Sequence, residues 1–251
     1  MTKPSVLVTG AGSGIGRAIA RALLADGFGV TLAGRRSTPL HESAEASGIP
    51  QSEALIVETD VTDPAQVERL FDRHIERFGR LDVLVNNAGV FGANADVGEL
   101  TVADWESTFA VNVTGAVLCA GAAFRQMSAQ SPAGGRIINN GSISAQTPRP
   151  RSVAYTTTKH AIAGLTKSVE LDGRAHRITA IQLDIGNAHT ELLDGIVTEG
   201  AVQADGSRRP EPTMGVSHVA ELVVQLARLP LGVSVPQLTV TAAGMPFIGR
   251  G

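Results

Sequence analysis

The sequence lacks most features by which secreted, metal-binding and nucleic-acid-binding proteins are recognised. Its 251 residues include one cysteine, Cys119, so no disulfide can form within the chain. Cys119 lies in the apolar run 116–120, which predicts a buried, unreactive thiol. The six histidines show no metal-ligand spacing, and the formal charge of −3 gives no basic excess for a phosphate backbone. We therefore expect neither a metal site nor a nucleic-acid partner.

Long hydrophobic runs are also missing. The first apolar run, 6–8, is followed at once by Thr9 and Gly10, which leaves no hydrophobic region for a secretory signal. No stretch approaches the roughly 18 uninterrupted apolar residues of a membrane span. Because 43% of the residues are hydrophobic, the chain can bury a large core. We expect a cytoplasmic protein that binds no membrane.

The apolar runs that are present are short and recur along the chain. Seven of them resemble buried strands: 6–8, 30–33, 55–57, 83–85, 137–138, 178–183 and 238–240. Segments with helical periodicity separate most of these runs, as in 15–25 and 67–78. Alternation of apolar strands with helices predicts an α/β fold, a doubly wound parallel sheet of about seven strands with helices on both faces. We expect one domain over residues 1–251.

Proline and glycine residues mark the ends of these elements. Pro64 fits the first turn of a helix with Thr62 or Asp63 as its N-cap, and Gly79 fits its end. The segment 186–213 is the least regular part of the chain. Because ligands of doubly wound sheets bind beyond the carboxyl ends of the strands, this segment is a candidate substrate-binding loop or lid. A disordered surface loop is the alternative.

A glycine-rich segment, 9–16, joins the first strand to the first helix. It has the pattern T-G-x-x-x-G-x-G on Gly10, Gly14 and Gly16, while the widespread G-x-G-x-x-G spacing is not met because Arg17 occupies the last position. Glycines here let backbone N–H groups and the helix N-terminus approach a pyrophosphate. A tight strand-to-helix turn without a ligand is the alternative.

Four further motifs follow in order. Asn86-Asn87-Ala88-Gly89 follows the fourth strand, Asn112 lies in a predicted helix, and Ser142 precedes the Y-x-x-x-K motif of Tyr155 and Lys159 by thirteen positions. In order and spacing the set resembles the short-chain dehydrogenase/reductase family, from Thr9 to Thr190. The resemblance implies an NAD(P)-binding Rossmann-like catalytic domain that oxidises CH–OH or reduces C=O groups of a small molecule. It implies these cofactor-binding residues: Gly10, Ser13, Gly14, Ile15, Gly16, Asp60, Val61, Asn87, Ala88, Gly89, Tyr155, Lys159, Gly186 and Thr190. It also implies a homodimer or homotetramer.

The candidate catalytic residues are Asn112, Ser142, Tyr155 and Lys159. Tyr155 and Lys159 are four apart on a helix and share a face. We expect the ammonium to lower the phenol's pKa from about 10, so that Tyr155 serves as general acid or base. By resemblance, Ser142 polarises the substrate oxygen, with Ser144 the weaker candidate, and Asn112 holds a proton-relay water. Individually these residues also fit a helix surface, a turn and a backbone-bonding asparagine.

The end of the second strand indicates which coenzyme is bound. Gly34 stands where an acidic residue would contact the ribose hydroxyls of NAD(H), and Arg35 and Arg36 follow it. Guanidinium groups favour a 2′-phosphate, so we expect NADP(H), with NAD(H) possible. Two arginines on a solvated loop are the alternative. Asp60 and Val61 resemble the pair that contacts adenine, although Asp60 also fits a helix N-cap.

The chain departs from the family pattern after the sixth strand. Ile185 stands where relatives commonly have proline, while Gly186 and Thr190 keep the spacing. Between Ser142 and Tyr155, Arg149 and Arg151 can attract an anionic substrate or belong to a solvated loop. Two other functions remain open at this point: an NAD(H)-dependent alcohol dehydrogenase and a dinucleotide-binding sensor without turnover.

Overall fold

The seven predicted strands form one parallel sheet. The computed structural model describes residues 3–46, 53–190, 200–203 and 205–248. Its strands are β1 Ser5–Thr9, β2 Gly29–Gly34, β3 Ala54–Glu58, β4 Val83–Asn86, β5 Gly135–Asn140, β6 Ile178–Ile185, the two-residue strands β7 Ala188–His189, β8 Ala201–Val202, β9 Arg208–Arg209 and β10 Met214–Gly215, and β11 Gln237–Val240. The main sheet has the order β11-β6-β5-β4-β1-β2-β3, with all neighbours parallel. The predicted α/β fold is confirmed.

Helices connect these strands and cover both faces of the sheet. They are α1 Gly14–Ala25, α2 Ser37–Glu45, α3 Pro64–Phe78, α4 Val102–Phe109, a π-helical turn Ala110–Gly115, α5 Ala116–Ala129, a 3₁₀ turn Ile143–Ala145, α6 Val153–Gly173, a 3₁₀ turn Arg174–His176 and α7 Val216–Arg228. The predicted Asp63 is the N-cap of α3, since its side chain accepts from the amides of Ala65 and Gln66. Gly79 ends α3 in the left-handed conformation, at φ 77°.

The sheet separates two hydrophobic cores. Alternate residues of β1 point to opposite faces, so Val6 and Val8 pack with α1 and α7, whereas Leu7 packs with α3 and α5. All three side chains are fully buried. Cys119 lies in the second core, where burial raises the pKa of its thiol to about 12. The structure thus places it where the sequence predicts an unreactive thiol.

A buried arginine, which the sequence patterns do not reveal, ties β5 to the end of α7. The side chain of Arg136 is 1% exposed. Its guanidinium donates to the carbonyls of Leu226 and Leu229, both at 2.8 Å, and to those of Pro230 and Val233, at 3.1 and 2.9 Å. A cation at a helix C-terminus satisfies carbonyls that have no partner within the helix.

The helical stretch Val102–Ala129 is long and apolar enough to cross a membrane by length and composition. However, 44% of its most apolar window is buried inside the protein, and α5 contacts α3, α6 and the sheet. This apolar composition is typical of a core helix, because a helix that packs against the protein on most of its sides carries few polar residues.

The strand order defines where a ligand can bind. From β1 the chain proceeds outward to β2 and β3, and then returns to β4 on the other side of β1. Connections therefore leave β1 and β4 in opposite directions, which opens a crevice beyond their carboxyl ends. Segments 10–16 and 87–89 occupy that crevice.

Candidate active site

A cleft of about 610 Å³ extends along the carboxyl ends of the strands. Most of the predicted site residues line it: Gly10, Ser13, Gly14, Ile15, Gly16, Arg35, Asp60, Val61, Asn87, Ala88, Gly89, Ser142, Tyr155, Lys159, Gly186 and Thr190. Arg36 and Asn112 are the two that do not. The residues on which the sequence-based function depends are therefore brought to one place.

Close backbone approaches shape the glycine-rich end of the cleft. Gly10 has φ 65°, a left-handed conformation that glycine adopts without strain. A Cβ on Gly16 would collide with the carbonyl oxygen of Gly10 and with the side chain of Asn87. Ser13 is the N-cap residue of α1, so the positive end of that helix faces the cleft. This end of the cleft can hold an anionic group.

Asn87 joins three strand ends. Its side-chain amide donates to the carbonyls of Thr9 and Gly10, at 3.0 and 3.3 Å, and its oxygen accepts from Asn140 at 2.8 Å. The hydroxyl of Thr9 accepts from the amides of Asn87 and Ala88, at 2.9 and 3.0 Å. These bonds hold the loop after β4 against the glycine-rich loop.

The residues after β2 and β3 lie at the opposite wall. Arg35 is exposed and lines the cleft, whereas Arg36 is exposed at the N-terminus of α2 outside the lining. Asp60 also lines the cleft, and one of its oxygens accepts from the amide and hydroxyl of Thr62, at 2.9 and 2.8 Å. Asp63, and not Asp60, is the N-cap of α3.

Tyr155 and Lys159 lie one turn apart near the N-terminus of α6, with Ser142 opposite them. The ammonium of Lys159 is 5.5 Å from the centroid of the Tyr155 ring and donates to the carbonyl of Asn140 at 2.7 Å. Ser142 is 6% exposed, and its hydroxyl is close enough to Tyr155 to lower the pKa of the phenol. Its own oxygen also accepts from the amide of Ser144 at 3.1 Å. The predicted grouping of these side chains is therefore present.

The expected lowering of the Tyr155 pKa is wrong in this structure. Burial is the main cause that raises the pKa of Tyr155 to about 12. The Ser142 hydroxyl and the charge of Arg149 lower this pKa by less, and the charge of Asp184 raises it. Burial also lowers the pKa of Lys159 to about 8, against an upward effect of Asp184. At neutral pH the phenol is therefore protonated, and Lys159 is mainly an ammonium ion.

Asn112 lies in the π-helical turn between α4 and α5. Its oxygen accepts from the amide of Val90 at 2.8 Å, and its side-chain nitrogen donates to the carbonyl of Val90 at 2.8 Å and to the hydroxyl of Thr158 at 3.1 Å. The side chain is 3% exposed. It thus fastens the loop after β4 to α6, immediately before Lys159.

The two arginines between Ser142 and Tyr155 have partners within the protein. Arg149 forms an ion pair with the buried Glu211 at 2.6 Å. Arg151 pairs with Asp96 and Glu99, both at 2.9 Å. Both arginines also line the cleft, so attraction of an anionic substrate and a purely structural role stay alternative predictions.

The segment 186–213 reaches the cleft from the side of β6, although its residues 191–199 and 204 lie outside the described residues. Thr190 lies against Gly14, and residues 200–202 with Arg208 line the cleft. Asn187 donates to Glu211 at 2.9 Å and accepts from Arg149 at 2.9 Å. These contacts join the start of the segment, at Asn187, to its end, at Glu211, beside the substrate end of the cleft.

Phe91 was not identified from the sequence. Its ring packs edge-on against Tyr155, with centroids 4.7 Å apart and planes at 60°, and it is 38% exposed. Its position two residues after Gly89 was the only signal available.

In the described part of the chain no group of three or more His, Cys, Asp or Glu residues could hold a metal.

Comparison with known proteins identifies the family. The model for the short chain dehydrogenase family matches residues 4–200. The chain therefore belongs to the short-chain dehydrogenase/reductase family, and it is an NAD(P)-dependent oxidoreductase that acts on alcohols or carbonyls of small molecules.

Individual relatives differ in their substrates. The chain is 37% identical over 227 residues to a cis-4-hydroxycyclohexanecarboxylate dehydrogenase from Sinomonas cyclohexanicum, covering 88% of each chain. It is 34% identical over 240 residues to sulfoacetaldehyde reductase 2 from Chromohalobacter salexigens, covering 94% of this chain and 92% of the relative.

Solved structures share the fold and include bound coenzyme. An alcohol dehydrogenase from Thermococcus sibiricus, complexed with 5-hydroxy-NADP, superposes with a TM-score of 0.80 at 26% identity, covering 97% of this chain and 98% of that one. A variant of actinorhodin polyketide ketoreductase with NADPH superposes with a TM-score of 0.84 at 27% identity, covering 96% of each chain. The fold is thus one that binds nicotinamide dinucleotides.

Proposed function

We propose that this protein is an NADP(H)-dependent carbonyl reductase in which Tyr155 donates the proton. The observation that carries the proposal is the placement of Tyr155, Ser142 and Lys159 in one cleft that ends at the glycine-rich loop, with the Lys159 ammonium 5.5 Å from the Tyr155 ring. Because the pKa of Tyr155 lies above neutral pH, the phenol carries a proton that it can give to a developing alkoxide. Alcohol oxidation needs the phenolate, so it gains at high pH.

The glycine-rich loop and the N-terminus of α1 fit the pyrophosphate of a dinucleotide. The Gly10–Gly16 approach leaves backbone and the helix N-terminus facing the cleft, where a larger residue would displace them. When bound, the nicotinamide supplies the hydride. Arg35 faces the part of the cleft next to β2 and supports a preference for the 2′-phosphate of NADP(H).

The chain's own residues divide the proton chemistry. Tyr155 donates to the substrate oxygen, Ser142 donates a hydrogen bond to the same oxygen, and Lys159 holds a positive charge beneath the phenol. Asn112 aligns the loop after β4 with α6, and a relay water near Lys159 stays a proposal. Gly186 and Thr190 extend the wall of the cleft beside Gly14.

The substrate end of the cleft favours an uncharged carbonyl compound. Phe91, Ile143 and Ile185 line it, and Arg149 and Arg151 are ion-paired. We expect a lower KM for a cyclic ketone than for the same ketone bearing a carboxylate. A lower KM for the acid would contradict this substrate class.

Consumption of NADPH over a panel of ketones and aldehydes tests the function, with Tyr155→Phe as the matched variant. We expect turnover by the wild type and a loss of roughly 10²- to 10⁴-fold in Tyr155→Phe, with NADPH binding retained. Binding without Tyr155-dependent turnover would support a dinucleotide-binding sensor. A higher kcat/KM with NADH would favour an NAD(H)-dependent alcohol dehydrogenase.

We also propose a cytoplasmic homodimer or homotetramer with 186–213 as its substrate lid. Exposed apolar side chains on α5 and α6, Val117 and Leu171, support an interface there. Sedimentation equilibrium of the wild type and of Leu171→Glu tests the assembly, and equal masses for the two would argue against that surface.

A further inference from the structure

Asp184 is a buried carboxylate at the carboxyl end of β6, next to the candidate active site. Its exposure is 0%, and its backbone is paired with that of Thr239 in β11. It interrupts an otherwise apolar strand end, between Leu183 and Ile185. The reaction proposed above assigns no role to it.

Four N–H groups surround this carboxylate. One oxygen accepts from the backbone amide of Ser142 at 3.1 Å and from the side chain of Gln182 at 2.7 Å. The other accepts from the side chains of Gln146 and Gln237, at 3.0 and 2.7 Å. All four partners donate, so the arrangement fits an ionised carboxylate and leaves no acceptor for a carboxylic acid proton.

The surrounding backbone is shaped to admit this group. A Cβ on Gly141 would collide with the same Asp184 oxygen that receives the Ser142 amide. The amide of Gly141 in turn donates to the carbonyl of Leu183 at 2.8 Å. The backbone that carries Ser142 is therefore fixed against β6 on both sides of Gly141.

A buried charge is costly unless nearby groups compensate it, and well-packed apolar residues often serve stability equally well. Three of the four donors are neutral carboxamides, so they balance hydrogen bonds but not charge. The buried ammonium of Lys159 donates to the carbonyl of Asn140 at 2.7 Å, directly before the Gly141–Ser142 backbone that Asp184 holds, and the charge of Asp184 raises the pKa of Lys159. A carboxylate here therefore has an electrostatic effect that a neutral side chain cannot reproduce.

We propose that Asp184 is a positioning residue of this active site: it holds the backbone at Ser142 in place, two residues after the Asn140 carbonyl that accepts from Lys159, and its negative charge acts on the buried Lys159 ammonium. The proposal rests on the proposed reductase function. Asp184 acts through these two residues and donates no proton to the substrate.

The other charges around the pair are few in the described residues. Arg149, from the loop after β5, lowers the pKa of Tyr155 and is itself paired with Glu211. Lys159, from α6, lies over the Tyr155 ring. Phe91, from the loop after β4, contributes an uncharged ring. Removing the charge of Asp184 should therefore lower the pKa of both Tyr155 and Lys159.

The test compares Asp184→Asn, which keeps the shape but not the charge, with Gln237→Ala, which removes one donor and keeps the carboxylate and its bond to Ser142. Tyr155 is the only tyrosine in the chain, so phenolate absorbance reports its ionisation without any turnover. We expect phenolate to form at lower pH in Asp184→Asn than in the wild type and Gln237→Ala. Circular dichroism confirms that each variant is folded over the range used.

Kinetics supply the second readout. We expect kcat for carbonyl reduction to fall roughly tenfold or more in Asp184→Asn, with the loss of activity at high pH moved to lower pH. Gln237→Ala should keep the wild-type pH profile. A fall in kcat with an unchanged profile and unchanged phenolate titration indicates a purely structural role and overturns the proposal.

The test also gives an answer if a variant fails to fold or if the wild type shows no activity. If Asp184→Asn does not fold, Asp184→Ser removes the same charge with a smaller polar side chain and is read in the same way. If the wild type reduces no carbonyl compound, the reductase function fails, while the Tyr155 titration still decides whether Asp184 acts on the pair.

Discussion

The ammonium of Lys159 donates to the carbonyl of Asn140 at 2.7 Å, and the side chain of Asn140 donates to Asn87 at 2.8 Å. Asn87 in turn donates to the glycine-rich loop. A short series of hydrogen bonds thus links the candidate catalytic lysine to the nucleotide end of the cleft. A displacement of Lys159 or of the glycine-rich loop should therefore shift the residues at the other end of this series.

Lys159 should give carbonyl reduction an upper pH limit. Because burial lowers its pKa to about 8, the ammonium is present below that pH and is lost as the pH rises through it. We expect kcat to fall above about pH 8 in the wild type. In Lys159→Arg, whose guanidinium stays charged, the relative profile should extend to higher pH. An identical decline of kcat at high pH in both proteins would assign that decline to another group.

Gly16 should tolerate no side chain. A methyl group there displaces the Gly10 carbonyl, so Gly16→Ala should weaken NADPH binding roughly tenfold or more, as measured by fluorescence titration. Gly164→Ala is the matched control, because a Cβ at this exposed position of α6 meets no atom within 4 Å. That substitution should raise helix stability by up to about 1 kcal/mol. Equal NADPH affinity in both variants would contradict the assignment of the loop.

Arg35 and Arg36 should differ in their effect on coenzyme choice. Only Arg35 lines the cleft, so Arg35→Ala should lower kcat/KM for NADPH roughly tenfold to a hundredfold, the usual range for a lost charge-assisted bond, and leave NADH almost unchanged. Arg36→Ala should have a much smaller effect. Parallel kinetics with both coenzymes measure this difference. Equal losses for NADPH and NADH in Arg35→Ala would exclude recognition of the 2′-phosphate.

Arg136 should contribute strongly to stability. Arg136→Met removes the guanidinium from four carbonyls near the end of α7, of which only those of Leu226 and Pro230 keep a backbone donor, and this should cost about 3 kcal/mol in the free energy of unfolding. Arg73→Met, which removes a solvent-exposed ion pair on α3, should change it by less than about 1 kcal/mol. Urea denaturation of both variants provides the comparison. Similar losses would show that the buried guanidinium has no special role.

His74 should make the fold sensitive to acid. It is fully buried, with Nδ1 2.7 Å from the Thr31 hydroxyl and Nε2 3.1 Å from the Arg80 carbonyl. Burial lowers its pKa from 6.5 to about 4. The unfolded chain therefore takes up the proton first, so stability is complete above about pH 6.5 and is lost as the pH falls towards 4.

A shift of this size corresponds to about 3 kcal/mol at pH 4. Urea denaturation between these pH values should show this fall in the wild type and a flatter dependence in His74→Asn. The matched variant His41→Asn, at an exposed position in α2, should follow the wild type. The same slope in His74→Asn would assign the acid sensitivity to other groups.

Periodicity was sufficient for the fold because each buried parallel strand leaves its own apolar run. The ends of α3 were also predictable, since its end residues Asp63, Pro64 and Gly79 act locally. The motif order placed Ser142, Tyr155 and Lys159 together. Glu211, the partner of Arg149, and Gln237, a partner of Asp184, come from distant segments, so no local pattern contains these contacts.

The sign of the Tyr155 shift could not be predicted for a related reason. A neighbouring ammonium follows from the spacing to Lys159, but the loss of solvent depends on everything packed around the ring. Gln182 and Asp184 were a visible signal in β6, whose other residues apart from Thr179 are apolar. Their meaning needed the positions of Gln146 and Gln237.

The edge contact between Phe91 and Tyr155 joins two independently encoded parts of the chain. Phe91 belongs to the loop after β4, whereas the proton donor is anchored in the long helix α6. Exchange of that one ring therefore changes the wall of the substrate end and the packing around the proton donor together. Selectivity for the substrate and the acidity of Tyr155 are coupled through this contact.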